Sequence, residues 1–444
     1  MGIFCSRNIA KKEEIIKDVI LDNPSDDNFI SYLTTLWDSD IKNNRILNDL
    51  PNNEIVDEEE LKKFKEMIEL NFTSLTVLGN FTYQNELENE VRLKKNELDM
   101  NDIKTCYMVI RDLNNHNQVN NFLMNKINKV QIVPKIKDVN KDHLSTKNYR
   151  FIQVHSKCLK LIDRLWCLKI LEKVKSLDKT IFKSNLVREM NVTVLETANN
   201  NTMSFDNVVL IDIEKAFDSC NYEVVETLLF KSLKRKIDEE TATNLTKQYM
   251  YIVKQRILYY KDNVINYNKG IPTGFPSSNI IFSLIMDEII NEWLETNKES
   301  FKLIDDFILN IFVDDVYMKL VNNGLIMKDN IIKTLIDTFT KYKFKVNLNK
   351  CKADEKLKIE GFSNIEESDF YLGIPFTRDI RKYCQIVLKQ YNDINNKQDT
   401  YVQIYLKMIQ KHEEIRQIHG FFNYKLKPIM KTMDLLSFIE VYLI

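Results

Sequence analysis

Apolar positions recur at helical spacing through residues 13–100. In DEEELKKFKEMIELNF, Leu61, Phe64, Met67 or Ile68, and Phe72 form one stripe among charged neighbours, which predicts an amphipathic helix. Near residue 130 the pattern changes to short apolar pieces, VQIVP and then YRFIQV. A basic amphipathic helix is predicted over 158–177. After residue 205 strands and helices alternate. NVVLIDI reads as a buried strand, 222–236 and 280–296 as helices, and LNIFV with VYMKL as a hairpin. A helix over 330–343 follows, then FKVNL and FYLGI as strands, and a mostly helical tail over 378–444. This order predicts an α+β fold, an antiparallel-containing sheet with helices behind it.

Composition narrows the picture. The 444 residues are 44% hydrophobic and 29% charged, as in ordinary globular proteins. Seven scattered Cys, with no C-x-x-C pair, suit a reduced intracellular, cytoplasmic protein and not a disulfide or zinc framework. The five His are scattered too. The best apolar run, IIFSLIMDEII, is broken by Asp287 and Glu288 and is too short to span a bilayer. The net charge of −1 hides an asymmetry. Residues 1–100 carry 12 Lys/Arg against 21 Asp/Glu, and the other 344 carry 51 against 43. An acidic leader on a basic body fits a body that handles polyanions.

The chemistry is concentrated in carboxylates. VVLID ends a buried strand on Asp212, a costly place for an acid without a compensating partner. About 100 residues later, Asp314 and Asp315 sit at the tip of the predicted hairpin, in NIFVDD. Adjacent acids also occur at Asp26-Asp27 and Asp305-Asp306, so the pair alone identifies nothing. If Asp212 and Asp314 lie on adjacent strands, however, they meet what two-metal phosphoryl chemistry needs: carboxylates bridging two Mg²⁺ ions about 3.5–4 Å apart. Mn²⁺ would fit the same donors. A separation of Asp212 from Asp314 beyond about 10 Å would exclude such a pair.

These residues carry a resemblance. Asp212-Ile-Glu-Lys-Ala-Phe217-Asp218 resembles the first palm motif of reverse transcriptases, and Phe312-Val-Asp314-Asp315 resembles their Y/F-x-D-D box. KGIPTGFPSSN (269–279) is similar to the loop-and-helix motif between them, with Thr273 where Gln is usual. FKVNLNK (344–350) and FYLGIPF (370–376) resemble the next motif and the primer grip. VPKIK (133–137) and NYRFIQV (148–154) resemble the two fingers motifs, and IHGFFNYKLKPI (418–429) the thumb segment. The order is that of the family over roughly 130–430. Half of the eight Gly and five of the seven Pro fall in these segments.

The resemblance implies a right-hand polymerase that adds dNTPs to a primer 3′ end on an RNA or DNA template. Asp212, Asp314 and Asp315 would be catalytic and hold the metals, and Lys350 would serve the leaving pyrophosphate. Lys135 and Arg150, with Lys137 competing, would clamp the triphosphate. Phe217 would exclude a 2′ hydroxyl, favouring dNTP over rNTP. Gly274 would approach the nucleotide, and Gly270, Leu372, Gly373, Gly420 and Tyr424 the primer and template. The expected organisation is a helical N-terminal extension (1–105), fingers (106–205), palm (206–376, with a fingers insertion around 222–268) and a short helical thumb (377–444). The 68 residues after the primer grip leave no room for a ribonuclease H or integrase domain beside a thumb. This is the outline of a stand-alone enzyme of retron-like, defence-associated or virus-borne type. An RNA-dependent RNA polymerase and a non-catalytic nucleic-acid-binding or membrane-tethered scaffold on the polymerase fold are the alternatives. MGIFCS matches the myristoylation pattern at Gly2, with Cys5 as a palmitoylation candidate. With eukaryotic machinery these would tether the chain to membrane. The oligomeric state is not read from sequence.

Overall fold

The computed structural model describes residues 24–37, 56–78, 99–116, 118–137, 142–173, 206–301, 306–321, 325–367, 369–371 and 374–376. Three helices come first: α1 (Asp26–Trp37), α2 (Glu58–Leu78) and α3 (Met100–His116). In α2 the stripe resolves in favour of Ile68. Phe64 and Ile68 are buried, whereas Met67 is exposed. The short α4 (Asn121–Ile127) then leads into the first sheet.

That sheet contains β1 (Lys129–Ile136), β2 (Tyr149–His155), β4 (Ile257–Tyr260) and β5 (Asn263–Ile265), in the order β2-β1-β4-β5. The β1–β2 and β4–β5 pairs are antiparallel, and β1–β4 is parallel. Burial in β2 alternates strictly, as expected for a sheet with one covered face. Helix α5 (Lys157–Lys173) follows β2 and packs on α3.

The second sheet has the order β6-β7-β3-β8-β9, from β3 (Val208–Asp212), β6 (Asp306–Phe312), β7 (Asp315–Val321), β8 (Lys352–Ala353) and β9 (Ser363–Asn364). It is antiparallel except at the β8–β9 edge. With it go the helices α7 (Tyr222–Lys234), α9 (Ser278–Thr296) and α10 (Leu325–Lys341), while α8 (Glu239–Lys254) packs on α7 and α5. Helix α9 packs between α7 and α10. This placement explains its sequence. Ile281, Phe282, Leu284, Ile285, Met286, Ile289, Ile290 and Trp293 are all buried, so the helix is apolar on nearly every side. Its interrupting acids are compensated: Asp287 lies 3.1 Å from Lys236 and Glu288 lies 2.9 Å from Arg235. Among the described residues no helix is long and apolar enough to cross a membrane.

Two expected strands come out differently. FKVNL forms only a single bridge, Val346 to Ile213, with two further backbone bonds, from Asn347 to Asp212 and from Glu214 to Lys345. Lys343 takes a φ of 63°, and the chain turns there instead of running straight into a strand. FYLGI folds back on itself: β10 (Phe370–Tyr371) pairs antiparallel with β11 (Ile374–Pro375).

Candidate active site

The three acids meet at one end of the second sheet. Strand β3 occupies the middle of that sheet, and its last residue, Asp212, is the register partner of Asp315 on β7. Directly opposed residues on antiparallel strands have Cα atoms about 4.5–5.5 Å apart, and Asp314 is one residue, about 3.8 Å, further on. Asp212 and Asp314 are therefore within roughly 9 Å at the backbone, inside the limit for a shared cation pair.

Asp314 lies in the two-residue turn, Val313-Asp314, between β6 and β7. Val313 has a φ of 58°, a left-handed conformation that strains a β-branched residue. Beneath the turn, the buried Tyr371 hydroxyl donates to the carbonyls of Asn310 and Asp315, both at 3.3 Å. Its ring packs 5.2 Å from that of Tyr317.

Charge is crowded here. Burial and the nearby Asp212 push the Asp314 carboxyl above its ordinary range, while Lys350 and Arg150 pull it back. Burial, then the like charges of Asp314 and Asp212, push Asp315 up to about 7. Asp315 nonetheless keeps an exposed edge, so water screens part of that effect. Lys350 Nζ lies 3.2 Å from both oxygens of Asp212. The buried Cys351 thiol accepts from the Asp212 amide at 3.4 Å, fixing the strand end.

Among the described residues no three His, Cys, Asp or Glu side chains are gathered closely enough to cage a metal by themselves. The donors nonetheless fit a hard divalent ion that also takes substrate oxygens. Carboxylates from adjacent strands converge, their mutual repulsion favours a cation, and one of them already holds an ammonium group.

The first sheet supplies the cations. Lys135 and Arg150 are register partners on β1 and β2, and both are exposed. Opposed residues share a face of the sheet, so the two side chains form a pair. Val133, Ile152 and Val154 continue that face as exposed apolar residues. Lys137, just past β1, gives its amine to the Lys147 carbonyl at 2.7 Å.

The loop 269–278 ties this sheet to the acids. Gly270 (φ 101°) donates to the Cys220 carbonyl and Ile271 to the Phe217 carbonyl, each at 2.8 Å. Phe217, half-buried in a one-turn helix, packs with its ring centroid 5.1 Å from that of Phe282. Helix α6 is Ala216–Ser219. Thr273 donates its hydroxyl to the Phe151 carbonyl at 3.0 Å, so it anchors the loop to β2. Gly274 (φ 98°) lies so close to β2 that a Cβ there would sit 2.7 Å from the Gln153 carbonyl oxygen.

Below the loop is a buried polar cluster. Asp163 accepts from the Ser277 amide at 2.8 Å at the start of α9, and burial pushes its carboxyl up to about 7. Arg256, 1% exposed, donates to Val253, to Tyr222 and to the Gln153 side chain, and lies against the Tyr267 and Phe275 rings. Burial holds His155 well below its ordinary range, and it packs as a neutral ring 4.1 Å from Phe275.

The structure thus brings Asp212, Asp314, Asp315 and Lys350 together, with Arg150 near enough to act on Asp314; Lys135 stands beside Arg150, and Phe217, Gly270 and Gly274 lie on or against the loop 269–278. Leu372, Gly373, Gly420, Tyr424, Gly2 and Cys5 lie outside the described residues. Sequence reasoning missed Asp163, Tyr371 and Trp37, which donates to Asp218. Only Asp163 carried a signal: with Leu159, Trp166 and Ile170 it falls on the apolar stripe of α5, where an acid needs a partner.

No curated protein matches this sequence. The family model of the reverse transcriptase (RNA-dependent DNA polymerase) matches residues 133–376, more than half of the chain, and includes Lys135, Arg150 and all three acids. The chain belongs to the reverse transcriptase family.

Proposed function

We propose that the protein copies an RNA template into DNA, adding dNTPs to a primer 3′ end. The observation that carries this reading is the register of Asp212 against Asp315 beneath the Val313-Asp314 turn, with Arg150 near enough to act on the Asp314 carboxyl. On this reading the first sheet belongs to the fingers (106–205, with β4 and β5 from the insertion around 222–268). The second sheet is the palm (206–376), 377–444 the thumb and 1–105 an N-terminal extension.

Two Mg²⁺ ions would be held by Asp212 and Asp314, with Asp315 as the secondary acid. When bound, such ions lower the pKa of the primer hydroxyl and neutralise the leaving pyrophosphate. The protein's own groups do the rest. Arg150 offers a planar fork and Lys135 a point charge to the triphosphate oxygens. Lys350 stands at the Asp212 carboxylate, where its Nζ protons and charge serve a leaving pyrophosphate. Phe217 presents a ring, held by Phe282, against the 2′ position of the sugar. The exposed Val133, Ile152 and Val154 beside these cations suit the bases of an unpaired strand. Acylation at Gly2 and Cys5 would add a membrane tether.

The test is extension of a DNA primer on RNA and on DNA templates, with dNTPs and with rNTPs, beside Asp314→Ala. DNA synthesis that the substitution reduces by at least a thousandfold is the expected result, since it removes a metal-binding carboxylate. Preference for rNTPs would make the chain an RNA polymerase. Template binding without extension, unaffected by Asp314→Ala, would make it a scaffold.

A further inference from the structure

Helix α1 lies outside residues 133–376, yet it packs on the covered face of the first sheet and reaches the loop 269–278. Phe29 wedges against Tyr149, Phe151 and Tyr260, with ring centroids at 5.0, 5.8 and 5.7 Å. Tyr149 and Phe151 flank Arg150. One turn on, Lys215 Nζ sits 5.0 Å over the Tyr32 ring. At the helix end Trp37, 1% exposed, donates its indole Nε1–H to Asp218 Oδ1 at 3.2 Å. The Trp37 carbonyl accepts from Asn268 at 3.4 Å. The indole occupies the space that Gly270 leaves: a Cβ there would lie 3.3 Å from Nε1 and 3.4 Å from Cδ1. One side chain of the N-terminal segment therefore touches both halves of one seam, the residue after Phe217 and the loop after Asn268.

Those halves are already joined from within. The Phe217 carbonyl accepts from Ile271, the Cys220 carbonyl from Gly270, and Asn221 bridges to Lys269. Trp37 closes the same seam from outside. Burial pushes Asp218 up to about 6, and the Trp37 bond is the first influence that holds it down, ahead of the charges of Lys215 and Lys137.

We propose that Trp37 is a positioning residue for nucleotide selection, holding Asp218 and the Gly270 loop so that the adjacent Phe217 ring stands where it rejects a ribose. This rests on the polymerase reading above. It assigns to the N-terminal extension a part in substrate choice and not in template or membrane attachment alone.

The experiment is single-nucleotide incorporation by the full chain, comparing kcat/KM for a dNTP and its rNTP. Trp37→Phe keeps a ring and removes the N–H. It is expected to lower the dNTP-to-rNTP ratio roughly fivefold to tenfold, the net weight of one ordinary hydrogen bond. Asp218→Ala should lower it similarly, and the double variant no further than either single one. Asp218→Asn, which keeps an acceptor for the indole, should restore most of the ratio. Trp293→Phe is the control, because it removes a comparable indole bond, to Thr334 at 3.1 Å, on the far side of α9. A Trp37→Phe ratio within twofold of wild type, or one matched by Trp293→Phe, would overturn the proposal. Additive effects of Trp37→Phe and Asp218→Ala would overturn it as well. Should Trp37→Phe fail to fold, Asp218→Ala against Asp218→Asn decides: equal ratios for the two would overturn the proposal. If the wild-type chain incorporates no nucleotide, the polymerase reading fails first, and this one with it.

Discussion

Adding one methyl group at Gly274 tests whether the loop must lie against β2. At its φ of 98° an L side chain is strained, a cost of about 1–2 kcal/mol. The new Cβ would also stand 2.7 Å from the Gln153 carbonyl oxygen, where ordinary contact begins at 3.4 Å. The obstacle is backbone, so the relief of about 0.7 Å must come from moving the loop or the strand, at about 1–3 kcal/mol. Together Gly274→Ala should cost about 2–5 kcal/mol, a fall in Tm on the order of 5–15 °C for a domain of 150–250 residues. The displacement has a direction. It pushes β2, and with it Arg150, away from the loop whose Ile271 donates to Phe217. The KM for dNTP should therefore rise by more than the loss of stability explains, when measured well below the new Tm. Scanning calorimetry and steady-state primer extension read the two effects. A variant within 1 °C of wild type and with unchanged KM would refute the close approach and its part in placing Arg150.

Arg150→Ala should raise the KM for dNTP about tenfold to a hundredfold, because charge-assisted phosphate bonds are lost, while Tm barely moves at this exposed site. Unchanged KM would remove Arg150 from the clamp. Tyr371→Phe deletes the hydroxyl that supports the Val313-Asp314 turn, and it should cost about 1 kcal/mol and several-fold in kcat with KM preserved. A shift in KM alone would contradict that role. For Asp163 the sign follows from a folded pKa of about 7 above an ordinary value of 3.8. The folded chain keeps a proton that the unfolded chain has lost, so this contribution is full below pH 3.8 and disappears as pH rises through 7. Asp163→Asn does not titrate, so wild type should lose Tm relative to the variant between pH 5 and 8. A constant gap across that range would place the Asp163 pKa near normal.

What the sequence made legible was local. A buried strand ending on an acid, an apolar hairpin tipped by two more and an all-round apolar helix are each patterns within a dozen residues, and each formed where the pattern lay. The register that unites them was not legible, because NVVLID is equally good beside any neighbour. Only the sheet order puts Asp212 across from Asp315. Trp37 and Tyr371 were hidden for the same reason. Each reads as an aromatic on an apolar face, and its hydrogen bond spans 181 residues to Asp218 in one case and 56 to Asp315 in the other. FKVNL erred in the opposite sense, since alternation promised a strand while the turn at Lys343 allowed a single bridge. Val313 is the sharpest case. By composition it is an ideal strand residue, and nothing in NIFVDD announces that its backbone is left-handed. A Gly there would remove a strain of about 1–3 kcal/mol, and Asn or Asp would lessen it. The strain falls on the residue that precedes Asp314 and shares its turn, where a stiff, branched side chain packed on the core restricts the backbone most. A turn that must aim a carboxylate benefits from that restriction, whereas a turn that only joins two strands does not.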